Sequence, residues 1–244
     1  MMHKKNNDTQ QSTAAKAMPP MSRPYPDTGH LVRESLLEAR FTALWRRSLL
    51  PGATSDPDAV WFALAQRYAE PHRVYHDRAH LAHCLEQLDL AATQVRQPDQ
   101  VEMAIWFHDV VNEPGRRDNE QRSADYFHEF ADGRIAPGSI QRVIGLILAT
   151  THRAAPTDPD QRFICDIDLA SFGCPWECFM RDSTAVKAEF TGTEEEYYRG
   201  KKTFLQAMLL RDRIFLTDFF HERYEQQARE NIDRLLDLIE RGAD

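Results

Sequence analysis

From His30 onward the hydrophobic positions recur at three- and four-residue steps instead of alternating, which is the period of buried helix faces. Leu36, Leu37, Phe41, Leu44 and Trp45 form one stripe, and Val60, Trp61, Leu64 and Tyr68 begin another. Asp77 suits a helix N-cap ahead of a face made by Leu81, Cys84, Leu85 and Leu88, and that register turns His80 inward. The next helix is expected over 99–111, where Val101, Ala104, Ile105 and His108 share a side. Asn112-Glu113-Pro114-Gly115 stops it, because proline lacks the N–H donor and glycine permits turn geometry.

A polar helix follows over 119–130, then one over 139–151 in which Ile144 and Leu148 lead by four-residue steps to His152. Beyond the turn Pro156-Thr157-Asp158-Pro159, the run from Phe163 to Leu169 alternates like a strand. A lone strand among helices has no partner, so the run is read as the start of a buried helix. Helices are expected again over 175–190 and 194–210, and finally over 218–241 behind a Thr217 cap. Tyr224, Ala228, Ile232, Leu235 and Ile239 would face inward from the last, leaving its charges as a solvated face. The expectation is an all-α protein: one helical bundle over 29–244, without internal repeat or linker. Residues 1–28, rich in Gln, Asn, Ser, Pro and Lys, read as a disordered tail with no stretch resembling a signal peptide or membrane span.

The chain of 244 residues, 42% hydrophobic and 28% charged, suffices for one sizeable core. A net charge of -8 and a pI near 5.7 argue against a broad nucleic-acid or anionic-membrane surface but leave room for a local basic pocket around a phosphate. Cys84, Cys165, Cys174 and Cys178 are too irregularly spaced for a disulfide framework, which favours a reducing, cytoplasmic setting. Cys174 and Cys178 lack the second Cys or His pair of a zinc motif and read as ordinary core or surface thiols.

Candidate chemistry centres on His108-Asp109, two ionisable groups inside the apolar run from Ala104 to Val111. Burial of such a pair demands either a hydrogen-bonded core arrangement or a metal. Upstream stands His76-Asp77-Arg78-Ala79-His80 and downstream Asp166-Ile167-Asp168. His80, His108, Asp109 and Asp168 would offer two neutral nitrogens and two anionic oxygens, leaving coordination positions for water and substrate. Adjacent residues on a helix diverge by about 100°, so His108 and Asp109 can share one ion only where the helix ends or rotamers converge.

The order His80, His108-Asp109, Asp168 resembles the HD-domain superfamily of metal-dependent phosphohydrolases. The likeness is to a bacterial branch of predicted phosphohydrolases, through Tyr75-His76 with His80, Ala104 to Asp109, Asn119-Glu120 with Ser123-Ala124, Ile147-Leu148-Ala149-Thr150, and Asp166-Ile167-Asp168-Leu169 with Gly173. These blocks fall within residues 30–240. The resemblance implies an HD-domain-like helical bundle with His80, His108, Asp109 and Asp168 as metal ligands, and Asp166 as the alternative to Asp168. It implies a divalent cation (Mn, Mg, Co, Ni, Zn or Fe) and hydrolysis of a small-molecule phosphate ester, a nucleotide among the candidates. Asp109 would both bind the ion and direct the attacking water.

Glu120 would position a water or a ligand imidazole, its bland role being a first-turn acid favoured by the helix dipole. His76 and His152 would contact phosphate, orient a ligand or hold a second ion, with a structural role weighed equally. Arg73, Arg78, Arg116, Arg117 and Lys201 are the cations near these motifs, and the surface is the ordinary place for most of them. Competing expectations are an HD-fold di-iron oxygenase using His76 and His152, a metal- or nucleotide-binding sensor without turnover, and a helical protein whose histidines are all satisfied structurally.

Overall fold

Side-chain caps and first-turn prolines set where the helices begin. The computed structural model describes residues 28–242, with side chains from residue 35; the tail expected over 1–28 lies outside the described residues except for Thr28. Helix α1 spans Thr28–Ser48, α2 Pro57–Arg67, α3 Arg78–Ala91, α4 Pro98–Phe107 and α5 Asn119–Ala131. They are followed by α6 Pro137–Ala149, α7 Pro159–Asp168, a 3-10 turn Ala170–Gly173, α8 Trp176–Ala188, α9 Glu194–Leu209 and α10 Asp218–Arg241. Asp56, Asp77 and Asp158 accept from first-turn N–H groups of α2, α3 and α7, satisfying donors that have no partner within the helix. Thr193 and Glu196 make a reciprocal capping box on α9, and Thr217 caps α10. Among the described residues the fold is all-α, as expected, with a single isolated bridge between Leu49 and Ile135.

The core begins as an aromatic cluster. Phe41 and Trp45 of α1 meet Trp61 of α2 and Trp106 and Phe107 of α4, with Phe41 edge-on to Trp106 at 5.4 Å. Rings of this size each bury about 150–250 Å², which makes the cluster a main source of hydrophobic stabilisation. Leu37, Phe41, Leu44 and Trp45 are buried as the stripe predicts, but Leu36 is 65% exposed. It lies next to Leu37, about 100° around the helix and outside the covered arc.

Two helix boundaries differ from the sequence expectation in ways that matter for chemistry. Helix α4 ends at Phe107 instead of running to residue 111, so His108 is its C-cap and Asp109 lies in the turn beyond. The run from Phe163 is helical, but it closes a helix that starts at Pro159, which puts Asp166 and Asp168 in the last turn of α7. Helices α3, α4 and α7 pack on one another and bring these ends together.

Helix α10 clamps the 3-10 turn. Asn231 of α10 donates to the carbonyls of Phe172 and Cys174 at 2.9 and 2.8 Å. Gly173 lies so close to α10 that a Cβ there would stand 2.4 Å from the Tyr224 Cβ, so the approach requires glycine. Among the described residues no helix is long and apolar enough to cross a membrane.

Candidate metal centre

Three helix ends supply the cluster. His80 sits in the first turn of α3, His108 caps α4 with Asp109 just beyond it, and Asp168 ends α7. His108 Nδ1 stands 2.8 Å from the Ile105 carbonyl, which can only accept, so Nδ1 carries a proton. In the neutral ring Nε2 is therefore the bare lone pair. That nitrogen is buried without a hydrogen-bond partner and faces Asp109 Oδ2 at 3.1 Å and Asp168 Oδ1 at 3.6 Å. His80 Nε2 joins the same point, 3.3 Å from Asp168 Oδ1 and 3.5 Å from Asp109 Oδ2.

Lone pairs and carboxylates converging in a buried space repel unless a positive charge lies among them. A buried group of His80, Cys84, His108 and Asp168, whose ligand atoms lie within 4.8 Å of one another, could hold a metal ion. Asp109 borders it through the contacts above. Without an ion, protons take that place. Burial alone would lower His108, but the Asp109 and Asp168 carboxylates outweigh it and hold the imidazole well above its usual range. Burial would likewise raise Asp109 and Asp168, yet the facing histidines hold both carboxyls well below the usual carboxylate range.

Cys84, one turn after His80 on α3, lies 3.6 Å from His80 Nε2 and was not separable from an ordinary core thiol by sequence. Burial, reinforced by Asp168 and Asp109, pushes its thiol well up, so it is the neutral member of the group.

His76 and His152 flank the cluster through carboxylate partners. His76 Nδ1 meets Glu189 Oε2 at 2.5 Å, while Glu189 Oε1 accepts from the backbone N–H groups of Val74, Tyr75 and His76 at 2.7, 2.7 and 2.9 Å. Burial would lower His76, but Asp109, Glu189 and Asp168 together raise it, and His76 in turn helps keep Asp109 ionised. His152, at φ 53 in the left-handed region, directs Nε2 to Asp168 Oδ2 at 2.7 Å.

Arg73 departs from the surface setting expected for such cations. Its buried guanidinium donates to the carbonyls of His76, Asp109 and Val110 at 2.8, 2.7 and 3.0 Å and to Glu70, binding the His76 turn to the turn carrying Asp109.

The two acids of the Asp166-Ile167-Asp168 motif have different surroundings. Asp168 faces the histidines, whereas Asp166 accepts from Leu216 N, Thr217 N and Thr217 Oγ1 at 2.7, 2.7 and 2.6 Å, anchoring the start of α10. Burial pushes Asp166 up to about 6 despite these three donors. Glu120 is half-buried in the first turn of α5 and contributes no hydrogen bond or ion pair to the cluster. Arg116 and Arg117 are exposed, Arg116 being paired with Asp118.

A cavity of about 370 Å³ opens over His80, walled by Tyr75, His83, Ser171, Cys178, Arg181 and Asp182. Tyr75 and Ser171 hydrogen-bond across it at 3.0 Å. Behind them a space of about 50 Å³ is lined by Tyr75, Ser171, Asp182 and Lys201. Burial lowers Lys201 to about 8, and its amine has no hydrogen-bond or ion-pair partner among the described residues.

Sequence reasoning missed Glu189, whose only signal was an acid near a helix end, and it had no sign of the buried role of Arg73. No protein-family model, curated protein or solved structure matches the chain.

Proposed function

We propose that this chain is a metal-dependent hydrolase of small phosphate esters, of the HD-domain type that its motif order resembles. The observation carrying the reading is the convergence of two buried imidazole nitrogens, His108 Nε2 and His80 Nε2, on the Asp109 and Asp168 carboxylates. His80, His108, Asp109 and Asp168 would hold the ion, with Cys84 remaining a thiol because a third anion in so buried a place is costly. A divalent ion held there would supply positive charge for phosphoryl oxygens and would acidify a water molecule toward neutrality.

The chain's own groups supply the rest. Asp109 accepts a hydrogen bond from the attacking water and fixes its direction. His76 donates Nδ1–H to Glu189, which leaves Nε2 as the atom that delivers or receives a proton at the leaving oxygen. The neighbouring carboxylates favour its charged form and so suit it to the donor role. His152 holds Asp168 by its second oxygen, fixing the carboxylate's orientation. Lys201 borders the cavity system as a cation for a phosphate group. A cavity of about 370 Å³ suits a small ester, and a net charge of -8 disfavours a nucleic-acid polymer.

The test is phosphate release from a panel of nucleotides and phosphomonoesters by chelator-stripped protein, restored separately with Mn, Mg, Co, Ni, Zn and Fe, beside Asp109→Ala. Turnover that returns with metal and is lost in the variant supports the hydrolase. Stoichiometric metal binding with silence across the panel overturns it. Iron-dependent colour with oxygen consumption would then indicate an oxygenase, and ligand binding without product a sensor.

A further inference from the structure

A second group of potential ligands lies on the wall of the same cavity. Cys174 follows the 3-10 turn, Cys178 lies in the first turn of α8, and Asp182 comes one turn later. The step of four residues along α8 puts Cys178 and Asp182 on one side, the extended Cys174 comes in just ahead of the helix, and the two sulfurs and a carboxylate oxygen lie within 4.8 Å of one another. We propose that Cys174, Cys178 and Asp182 form a second metal site, separate from the histidine cluster, for a soft divalent cation of the zinc type.

Sulfur chemistry and charge balance carry the assignment. Thiolate pairs select zinc-like ions over magnesium or calcium, and two sulfurs on one tetrahedral zinc stand about 3.8 Å apart at Zn–S bonds of about 2.3 Å. The observed grouping is within a small side-chain adjustment of that spacing. Arg181 Nη2 lies 3.1 Å from Cys178 Sγ and 2.9 Å from Asp182 Oδ1. It therefore holds one carboxylate oxygen and leaves Oδ2, 3.8 Å from Cys178 Sγ, on the thiol side. Two thiolates and a carboxylate carry three negative charges, which a divalent ion and this guanidinium cancel.

Across the cavity stands His83 of α3, whose buried Nε2 has no hydrogen-bond partner among the described residues. A neutral imidazole is of the right chemical type for a fourth ligand, and His83 stands outside the 4.8 Å group of Cys174, Cys178 and Asp182. The ion would join the start of α8 to the cavity wall and fix the entrance over His80. This site does not depend on the hydrolase reading, because no residue of the histidine cluster belongs to it.

The test is cobalt(II) titration of reduced, chelator-stripped full-length protein without oxygen, read by the thiolate-to-cobalt charge-transfer absorption and by bound stoichiometry. The expected result is two equivalents per chain with a thiolate band. Cys178→Ser should lose the band and one equivalent, while Asp168→Asn should lose one equivalent and keep the band. A companion measurement needs no variant: zinc should slow alkylation of Cys174 and Cys178 at least tenfold in wild-type protein, located by peptide mass. The proposal is overturned if no thiolate band forms, if the band survives Cys178→Ser but disappears in Cys84→Ala, or if zinc leaves both alkylation rates unchanged.

Discussion

Glu189 takes the hydrogen bond of His76 across 113 residues of chain, and its other oxygen gathers the three N–H groups of the turn that carries the histidine. One carboxylate thus fixes both the backbone and the protonation of His76. In Glu189→Gln the amide oxygen can still accept from the backbone, but the charge is gone. The imidazole of His76 in metal-free protein is expected to titrate lower by about one unit, equivalent to about 1.4 kcal/mol. Imidazole NMR across a pH series measures this, and an unmoved titration would show that Glu189 acts only on the backbone. Glu189→Ala leaves buried donors without an acceptor and is expected to cost about 2–4 kcal/mol in urea unfolding.

Protons and metal compete for the same place beside His108. Its folded-state pKa is raised, so in metal-free protein its stabilising contribution is fully present below the unfolded value of about 6.5 and is lost as pH rises through the folded value. Asp109 and Asp168 run oppositely: their pKa values are lowered, and their contribution, present above about 4, is lost as pH falls through the folded values. Metal-free protein should therefore be most stable on the acid side of neutrality. Affinity for zinc or manganese should rise about tenfold per pH unit for each proton displaced while His108 remains charged. Calorimetry in buffers of different ionisation enthalpy measures the released proton; binding without release at pH 6 would contradict the arrangement.

Occupation of the centre should also appear as stability. Manganese, which thiolates bind poorly, should at one hundred times its dissociation constant add about 2.7 kcal/mol, visible as a rise in Tm that Asp168→Ala abolishes. Asp166→Ala, two residues away, should cost about 1–3 kcal/mol by releasing three donors yet retain the metal-dependent rise. Equal loss of that rise in both variants would refute the division of labour between the two acids.

Lys201 provides a case in which removing a charge should stabilise. Its pKa is lowered by burial to about 8, so the folded state disfavours the ammonium and gains stability as pH rises from about 8 to 10.5. Lys201→Met should raise stability at pH 7 by about 1–3 kcal/mol, with the gain shrinking as pH rises from about 8 to 10.5. If Lys201 receives substrate phosphate, the same variant raises KM severalfold. A destabilised variant at pH 7 would reveal an unrecognised partner for the amine.

Arg73→Leu is expected to cost about 3–5 kcal/mol, because the carbonyls of His76, Asp109 and Val110 lose their donors together. Denaturant unfolding measures it, and a loss below 1 kcal/mol would show that water replaces the guanidinium.

Local pattern made much of this molecule legible. Four-residue periodicity brought His80 onto a buried face, and the proline-glycine break after His108 indicated a helix end nearby. The break did not reveal that α4 closes at Phe107, a shift that frees Asp109 from the helical angle relative to His108. Asp166 and Asp168 are alike in sequence and separate only through Leu216 and Thr217, donors about fifty residues downstream. Glu189 escaped notice, and Arg73 was grouped with ordinary surface cations, for the same reason: long-range partners define them, and an isolated acid or arginine carries no record of such partners. The Cys174–Cys178 spacing was visible, but Asp182 and the facing His83 were not part of any motif.

The clamp between α7 and the start of α10 has a consequence for how the protein is made. Asp166 meets its donors at Leu216 and Thr217, and the 3-10 turn meets Asn231 later still. As the chain leaves the ribosome, the segment bearing His80, His108 and Asp168 emerges before the residues that lock it. A nascent chain arrested short of Thr217 should therefore expose an unsealed bundle, and the centre is finished only after α10 has been made.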